Sequence, residues 1–455
     1  MTKDMTNGKP MPIILSFMLP LLGGNLFQQF YNMADTIIVG RFLGLGPLAS
    51  VGSCASILFL VLGFCMGLSS GFSIPIAQKF GARQESMLRR FMINGWYLAA
   101  AISAVTTVGT VLSCRAILTF MRTPASLFQD AYDYQVIIFW GIPFTVLYNY
   151  ASGIIRAIGD ARTPFFFLVI STILNIALDL FCIIYLKMGV SGAAIATVIA
   201  QAVSGLLCVV YMYKKYDLLR MKRSEYVPDK RKCWLMLGMG LPMGLQFSIT
   251  AIGSVMLQSA VNQLGTLYVA SYATALKIKS IFIGVCDALG NTMAVYCGQN
   301  LGAGRKDRIW EGIRDSIKLS VVLSLVSVVI LWTLTDKLAL LFMDSSHSRV
   351  IANVCLFMRC TSCFYIVLDL LCIFRNAVQG MGASKTAMLA GFIEMAARTA
   401  SSLWLIPAFG YIMVCFTDQL AWGTATVFLV FVFRSIMNRA PSAERLRQPY
   451  NNSRS

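Results

Sequence analysis

Long apolar stretches separated by short polar connections run the length of the chain. They lie at roughly 13–40, 50–78, 93–113, 131–156, 165–186 and 190–213, and again at roughly 235–262, 270–297, 312–334, 350–378, 386–407 and 411–433. About 20 apolar residues in helical form cross a bilayer core, so each stretch predicts a spanning helix. Several are longer, which predicts tilt or extension into water. The one long polar connection, Lys214 to Lys232, divides the chain almost evenly. The pattern predicts an all-α polytopic membrane protein of twelve helices. We divide it into an N-lobe over 1–213 (helices 1–6), a linker over 214–232, a C-lobe over 233–434 (helices 7–12) and a tail over 435–455.

The two halves repeat. Gln78-Lys79-Phe80-Gly81-Ala82 matches Gln299-Asn300-Leu301-Gly302-Ala303, Gly159 and Thr163 match Gly382 and Thr386, and Leu19-Pro20 matches Leu241-Pro242, at offsets of 221, 223 and 222. Six helices per half give both halves the same orientation, with a pseudo-two-fold axis along the membrane normal. Two such lobes around a central cleft are the geometry that alternating access requires.

Composition and charge agree. The 455 residues are 57% hydrophobic and 13% charged, with mean hydropathy +0.70, too apolar for a water-soluble chain of this length. The net charge of +18 is placed by topology: 27 of the 38 Lys and Arg fall at the termini, in the linker and in alternate connections, against six on the other side. The positive-inside rule then puts both termini and the basic linker in the cytoplasm of a bacterial inner-membrane protein. No basic face of a soluble domain is left to bind nucleic acid. Thirteen cysteines lie scattered in apolar runs, and each, including the Cys360-x-x-Cys363 pair, reads as a buried small hydrophobe. One histidine, His347, in a polar connection, can build neither a zinc site nor a triad, so no enzyme, cofactor or structural metal is expected. The short polar N-terminus carries no signal-peptide pattern. No filter-like loop suggests a channel.

Ionisable residues at membrane depth are functional candidates. The acids within apolar stretches are Asp35, Asp179, Asp287, Asp369, Glu394 and Asp418. Tyr31 and Asp35 share a face of helix 1, and Asn175 and Asp179 a face of helix 5. Thr197 lies eight residues into helix 6 from Gly189, and Asp179 ten residues before it, so the two sit at comparable depth. Two carboxylates, an amide and two hydroxyls at one level could hold Na⁺ or share protons. Alternatively, Asn175 and Thr197 bond neighbouring helices while each acid lines water alone. Glu394 and Arg398, one turn apart, most simply pair. Lys277 and Lys279 could snorkel, pair with Asp287 or line the cleft, and Asp418 has no assigned role. Gly63, Gly67 and Gly71 form a close-packing seam on helix 2.

These residues carry a resemblance over nearly the whole chain. The Leu19-Pro20 opening of helix 1, the paired Gln-x-x-Gly-Ala segments and Arg156-Ala157-Ile158-Gly159-Asp160-Ala161-Arg162-Thr163-Pro164 resemble the multidrug and toxic compound extrusion (MATE) family. The Tyr31/Asp35, Asn175/Asp179 and Thr197 set is similar to the N-lobe cation site of the family's bacterial and archaeal branch. The resemblance implies that Asp35, Asn175, Asp179 and Thr197 coordinate Na⁺ or carry protons, with Tyr31 beside them, and that helix 1 bends about Pro20. Another branch uses acids of helices 7 and 10. Here helix 7 offers only Gln258, and Asp369 matches approximately, so both are secondary candidates. The expected function is antiport of drug-like organic cations against Na⁺ or H⁺ by a lipid-embedded monomer. A lipid-linked oligosaccharide flippase of related fold is the alternative, disfavoured by the acid pair.

Overall fold

A computed structural model describes residues 3–341 and 347–439. The tail predicted over 435–455 lies outside the described residues from position 440 onward. Nine of the described helices are individually long and apolar enough to cross a membrane, and two bent pairs raise the number to eleven. The stretch predicted at 386–407 is the one outside these eleven, and a π turn at Ser401–Leu405 interrupts it.

In the first half, α1 (Pro10–Leu43), α2 (Leu45–Gly81) and α3 (Glu85–Phe120) are followed by the bent pair α4 (Ala125–Trp140) and α5 (Ile142–Ala157). Next come α6 (Arg162–Leu180), prolonged by a π turn at Phe181–Tyr185, and α7 (Gly189–Lys215). The second half repeats the order. It contains α8 (Lys230–Gln263), α9 (Thr266–Gly302), α10 (Lys306–Ala339), the bent pair α11 (Ser348–Ser362) and α12 (Tyr365–Gly380), and α13 (Ser384–Ala400). A π turn at Ser401–Leu405 then leads through α14 (Ile406–Phe409) to α15 (Tyr411–Arg439).

The sequence patterns at 131–156 and 350–378 each predicted one helix, and the structure bends them by 44° and 52°. Pro143, near the start of α5, explains the first bend, since it lacks an amide donor and its ring crowds the preceding turn. The second bend, at Cys363 and Phe364, has no proline.

The repeat extends to backbone conformation. Gly44 and Gly265 (φ 94° and 106°), Arg83 and Gly304 (54° and 71°), Gly159 and Gly382 (90° and 91°) and Gly189 and Gly410 (60° and 65°) all turn through the left-handed region at matching points. Side chains other than glycine resist that conformation, so these turns punctuate the helices alike in both halves.

The chain forms two compact units. Among the described residues, one takes in those up to Asp4 together with Gly23–Ser248, the other Met5–Leu22 together with those from Ile249 on. Thus α1 and α8 each begin in one unit and end in the other. Within the first unit, α2 crosses the opening of α8 at very short range: a Cβ on Gly71 would stand 2.5 Å from Gly240 Cα, and one on Gly67 2.6 Å from the Met243 carbonyl. The expected glycine seam is therefore real, and its partner is α8.

Outside the apolar core, Arg89 at the start of α3 donates through Nε to both carboxylate oxygens of Glu225 at 2.9 Å. It also reaches the Leu218 carbonyl at 3.2 Å. Burial would raise the Glu225 carboxyl, but the Lys222 backbone N–H and the Arg89 guanidinium outweigh it and hold it below its ordinary range. In the second unit, Arg308, at the start of α10, donates to the carbonyls of Gly8 at 2.8 Å and Met5 at 3.2 Å. Each unit therefore uses an arginine at one helix start to hold the polar segment that leads into α8 or α1.

All thirteen cysteines are free and ten are buried. Cys363 departs from the expectation: it caps α11 at the bend and is exposed, while Cys360 and Cys233 are half-buried.

Candidate functional site

The first unit brings together the residues that spacing put at one depth. Helix α6 runs past Asn175 and Asp179 into its π turn, and the chain reverses at Gly189 to start α7. Close packing fixes the register of the two helices. A Cβ on Gly192 would lie 3.0 Å from Cys182 Cβ, and Ser171 Oγ donates to the Ala200 carbonyl at 2.8 Å. Thr197 thereby returns to the level of Asn175, whose Nδ2 donates to Thr197 Oγ1 at 3.5 Å. From α1, the Tyr31 hydroxyl meets the same Thr197 oxygen at 3.0 Å.

One turn along α1, Asp35 is half-buried, and its Oδ1 atom is shut away from solvent without a hydrogen-bond partner among the described residues. Asn175 and Asp179 are fully buried. The Asp35 and Asp179 carboxyls lie within electrostatic reach of each other and of the Tyr31 hydroxyl. A fourth helix joins them: Tyr134, on α4, is buried in the field of Asp35, Tyr31 and Asp179. Sequence reasoning missed Tyr134, because nothing local distinguishes it from the neighbouring Tyr132 in the polar stretch Asp130–Gln135.

Three helices thus converge two carboxyls, an amide and two hydroxyls on one buried locus. All are hard oxygen or amide groups, suited to a proton or a monovalent cation. Among the described residues no group of three or more His, Cys, Asp or Glu side chains forms a transition-metal cage. Pro20 lies inside a continuous α1, as Pro242 lies inside α8.

The second unit is built differently. Asp369 on α12 is buried and accepts from Ser324 Oγ on α10 at 2.8 Å, while its other oxygen has no hydrogen-bond partner among the described residues. Gln258 donates instead to Asn262, one turn on in α8, at 2.9 Å. The expected Glu394–Arg398 pair forms, within a wider network. Those groups are 3.7 Å apart, and each has a closer partner: Arg375 donates to Glu394, and Arg398 Nε donates to Asp418 at 2.8 Å. Lys279 pairs with Asp418 as well, its ammonium 4.9 Å from the Trp422 ring centre and 5.7 Å from that of Phe357. Lys277 and Asp287 are exposed, and Asp287 lies in the field of Arg375. Helical spacing favoured the neighbour four residues away, and the tertiary fold supplied better ones from other helices.

With this geometry in view, the comparisons are specific. A family model described as MatE matches residues 20–181 and again 242–403. A Bacillus subtilis protein described as probable multidrug resistance protein YoeA is 29% identical over 347 residues, 74% of each chain. Probable multidrug resistance protein NorM of Thermotoga maritima is 23% identical, over 84% of this chain and 82% of its own. A solved structure described as the outward-facing conformation of a multidrug resistance MATE family transporter of the MOP superfamily superimposes with a TM-score of 0.89 at 21% identity, covering 98% of both chains.

Proposed function

Because the chain belongs to the MATE family, a family of membrane transporters and not of enzymes, we propose that it exports drug-like compounds in exchange for Na⁺ or H⁺ bound at the Asp35/Asp179 cluster. The observation that carries this reading is the convergence of Tyr31, Asn175 and Thr197 beside the half-buried Asp35 of α1 and the buried Asp179 of α6. Two carboxylates in a site of low dielectric repel unless a proton or a cation stands between them. A cation entering the cluster would tie α1 to α6 and α7, and its departure would release α1. An ion that binds one arrangement of α1 more tightly, and a drug that binds the other, give obligatory exchange.

Pro20 leaves the α1 backbone without one hydrogen bond, which suits it to absorb that rearrangement. The names of relatives in Bacillus subtilis and Thermotoga maritima support multidrug efflux, and cations of amphipathic character suit a chain rich in Met and aromatic side chains. In this reading the protein works as a monomer in the bacterial inner membrane, with both termini and the 214–232 linker cytoplasmic. The lobes 1–213 and 233–434 are its two moving bodies. Asp369 and Gln258 are secondary cation candidates; the Gln258 amide nitrogen donates along its own helix, which leaves its oxygen as the candidate ligand atom.

The test is efflux from proteoliposomes under imposed Na⁺ or H⁺ gradients. Efflux driven by either gradient supports the reading; efflux indifferent to both contradicts it.

A further inference from the structure

The repeat allows each residue of the cation cluster to be followed into the second unit. Gly189 and Gly410 make equivalent left-handed turns before α7 and α15. Thr197 lies eight residues beyond the first and Asp418 eight beyond the second, so they are counterparts. Helices α6 and α13 both end in a five-residue π turn. Counted forward from the helix start, Arg398 falls beside Asn175; counted back from the π turn, it falls beside Asp179.

The bridge between the fifth and sixth membrane helices is therefore Asn175 to Thr197 in the first unit and Arg398 to Asp418 in the second. Where the first unit groups two acids, the second holds a carboxylate between two tethered cations, Lys279 and Arg398, all three buried. Tyr272 and Tyr365 also lie in the field of Asp418.

We infer that the second unit contains the counterpart of the cation site with its cations built in: Lys279 and Arg398 occupy the place of a mobile ion, and Asp418 is excluded from ion exchange. Lys279 and Arg398 face Asp418, and Arg375 faces Glu394 and Asp287, so each of these three acids has a cation within the unit. A paired buried carboxylate holds its charge, whereas removing its partners leaves a charge that must find a proton or an ion. The inference rests on the reading that Asp35 and Asp179 exchange ions, and it removes the Asp418 locus from that exchange.

The test is labelling of the purified full-length protein with a hydrophobic carbodiimide, which modifies protonated carboxyl groups, mapped by mass spectrometry. Wild type should be modified at Asp35 or Asp179, with protection by Na⁺ if Na⁺ is the ion, and should be silent at Asp418. In K279M/R398Q, Asp418 should become reactive at a rate about tenfold or more above wild type, the scale expected when a buried charge loses its partners. The conservative K279R/R398K should stay silent. Labelling of Asp418 in wild type at the rate of Asp35 overturns the inference, and so does a monodisperse K279M/R398Q protein that remains silent there. If K279M/R398Q does not fold, the same comparison is made with K279M alone, where reactivity at Asp418 no greater than in wild type overturns the role of Lys279. Silence at Asp35 and Asp179, with Asp418 also silent, counts against the ion-exchange reading and leaves Asp418 excluded.

Discussion

Asp35 presents a carboxylate oxygen that is closed to solvent and has no hydrogen-bond partner among the described residues, an arrangement that costs stability unless something fills it. Asp35→Asn keeps the shape and removes the charge. It should lower gradient-driven efflux by about tenfold or more, the scale of a typical coupling between two ligands, with normal amounts of protein in the membrane. Asp179→Asn should act likewise; a variant with intact ion dependence would remove Asp179 from the site. Away from the membrane core, Glu225 makes a different kind of claim. Its folded carboxyl is held below the ordinary range, so the Arg89–Glu225 bond stabilises above the ordinary glutamate pKa of about 4.3 and is lost as pH falls through the lower folded value. Arg89→Met would strand a buried carboxylate, at a cost of roughly 3–5 kcal/mol. Thermal unfolding should show a large deficit for that variant at pH 7 that shrinks on acidification; a deficit independent of pH would disprove the ion-pair account.

Among the helices, the sharpest constraint is the crossing of α2 with the opening of α8. Gly71→Val would drive a side chain into the Gly240 backbone, and overpacking of this kind costs about 1–3 kcal/mol. Gly52→Ala, on the same helix with nothing within 4 Å of the new Cβ, is the control and should be neutral. Equal melting temperatures for the two variants would refute the seam. The helices themselves were legible because apolar length and charge placement report directly on a bilayer. The Tyr31/Asp35 and Asn175/Asp179 pairs were legible because helical spacing puts them on one face, and Thr197 because a short turn fixes its level against Asp179. Contacts set by tertiary packing were hidden. Nothing in the sequence links Tyr134 to the cluster, Arg375 to Glu394 or Lys279 to Asp418, since each contact joins different helices whose relative rotation only tertiary packing sets. The second bend was hidden as well, because no proline marks it.

For the molecule as a whole, two halves share a backbone plan down to their left-handed turns while their buried charges differ. Duplication explains the shared plan, and on the proposed reading the divided chemistry makes one half responsive to ions. Topology is a separate claim at this scale: single cysteines placed in the 214–232 connection should react with impermeant reagents only from the cytoplasmic side, and labelling from outside would invert the orientation. The most direct test of the central claim is drug efflux from proteoliposomes in which Na⁺ and H⁺ gradients are imposed separately, with wild type and Asp35→Asn side by side. The account predicts that at least one gradient accelerates efflux by wild type and that Asp35→Asn loses the response. Equal acceleration of both proteins by the same gradient would contradict it.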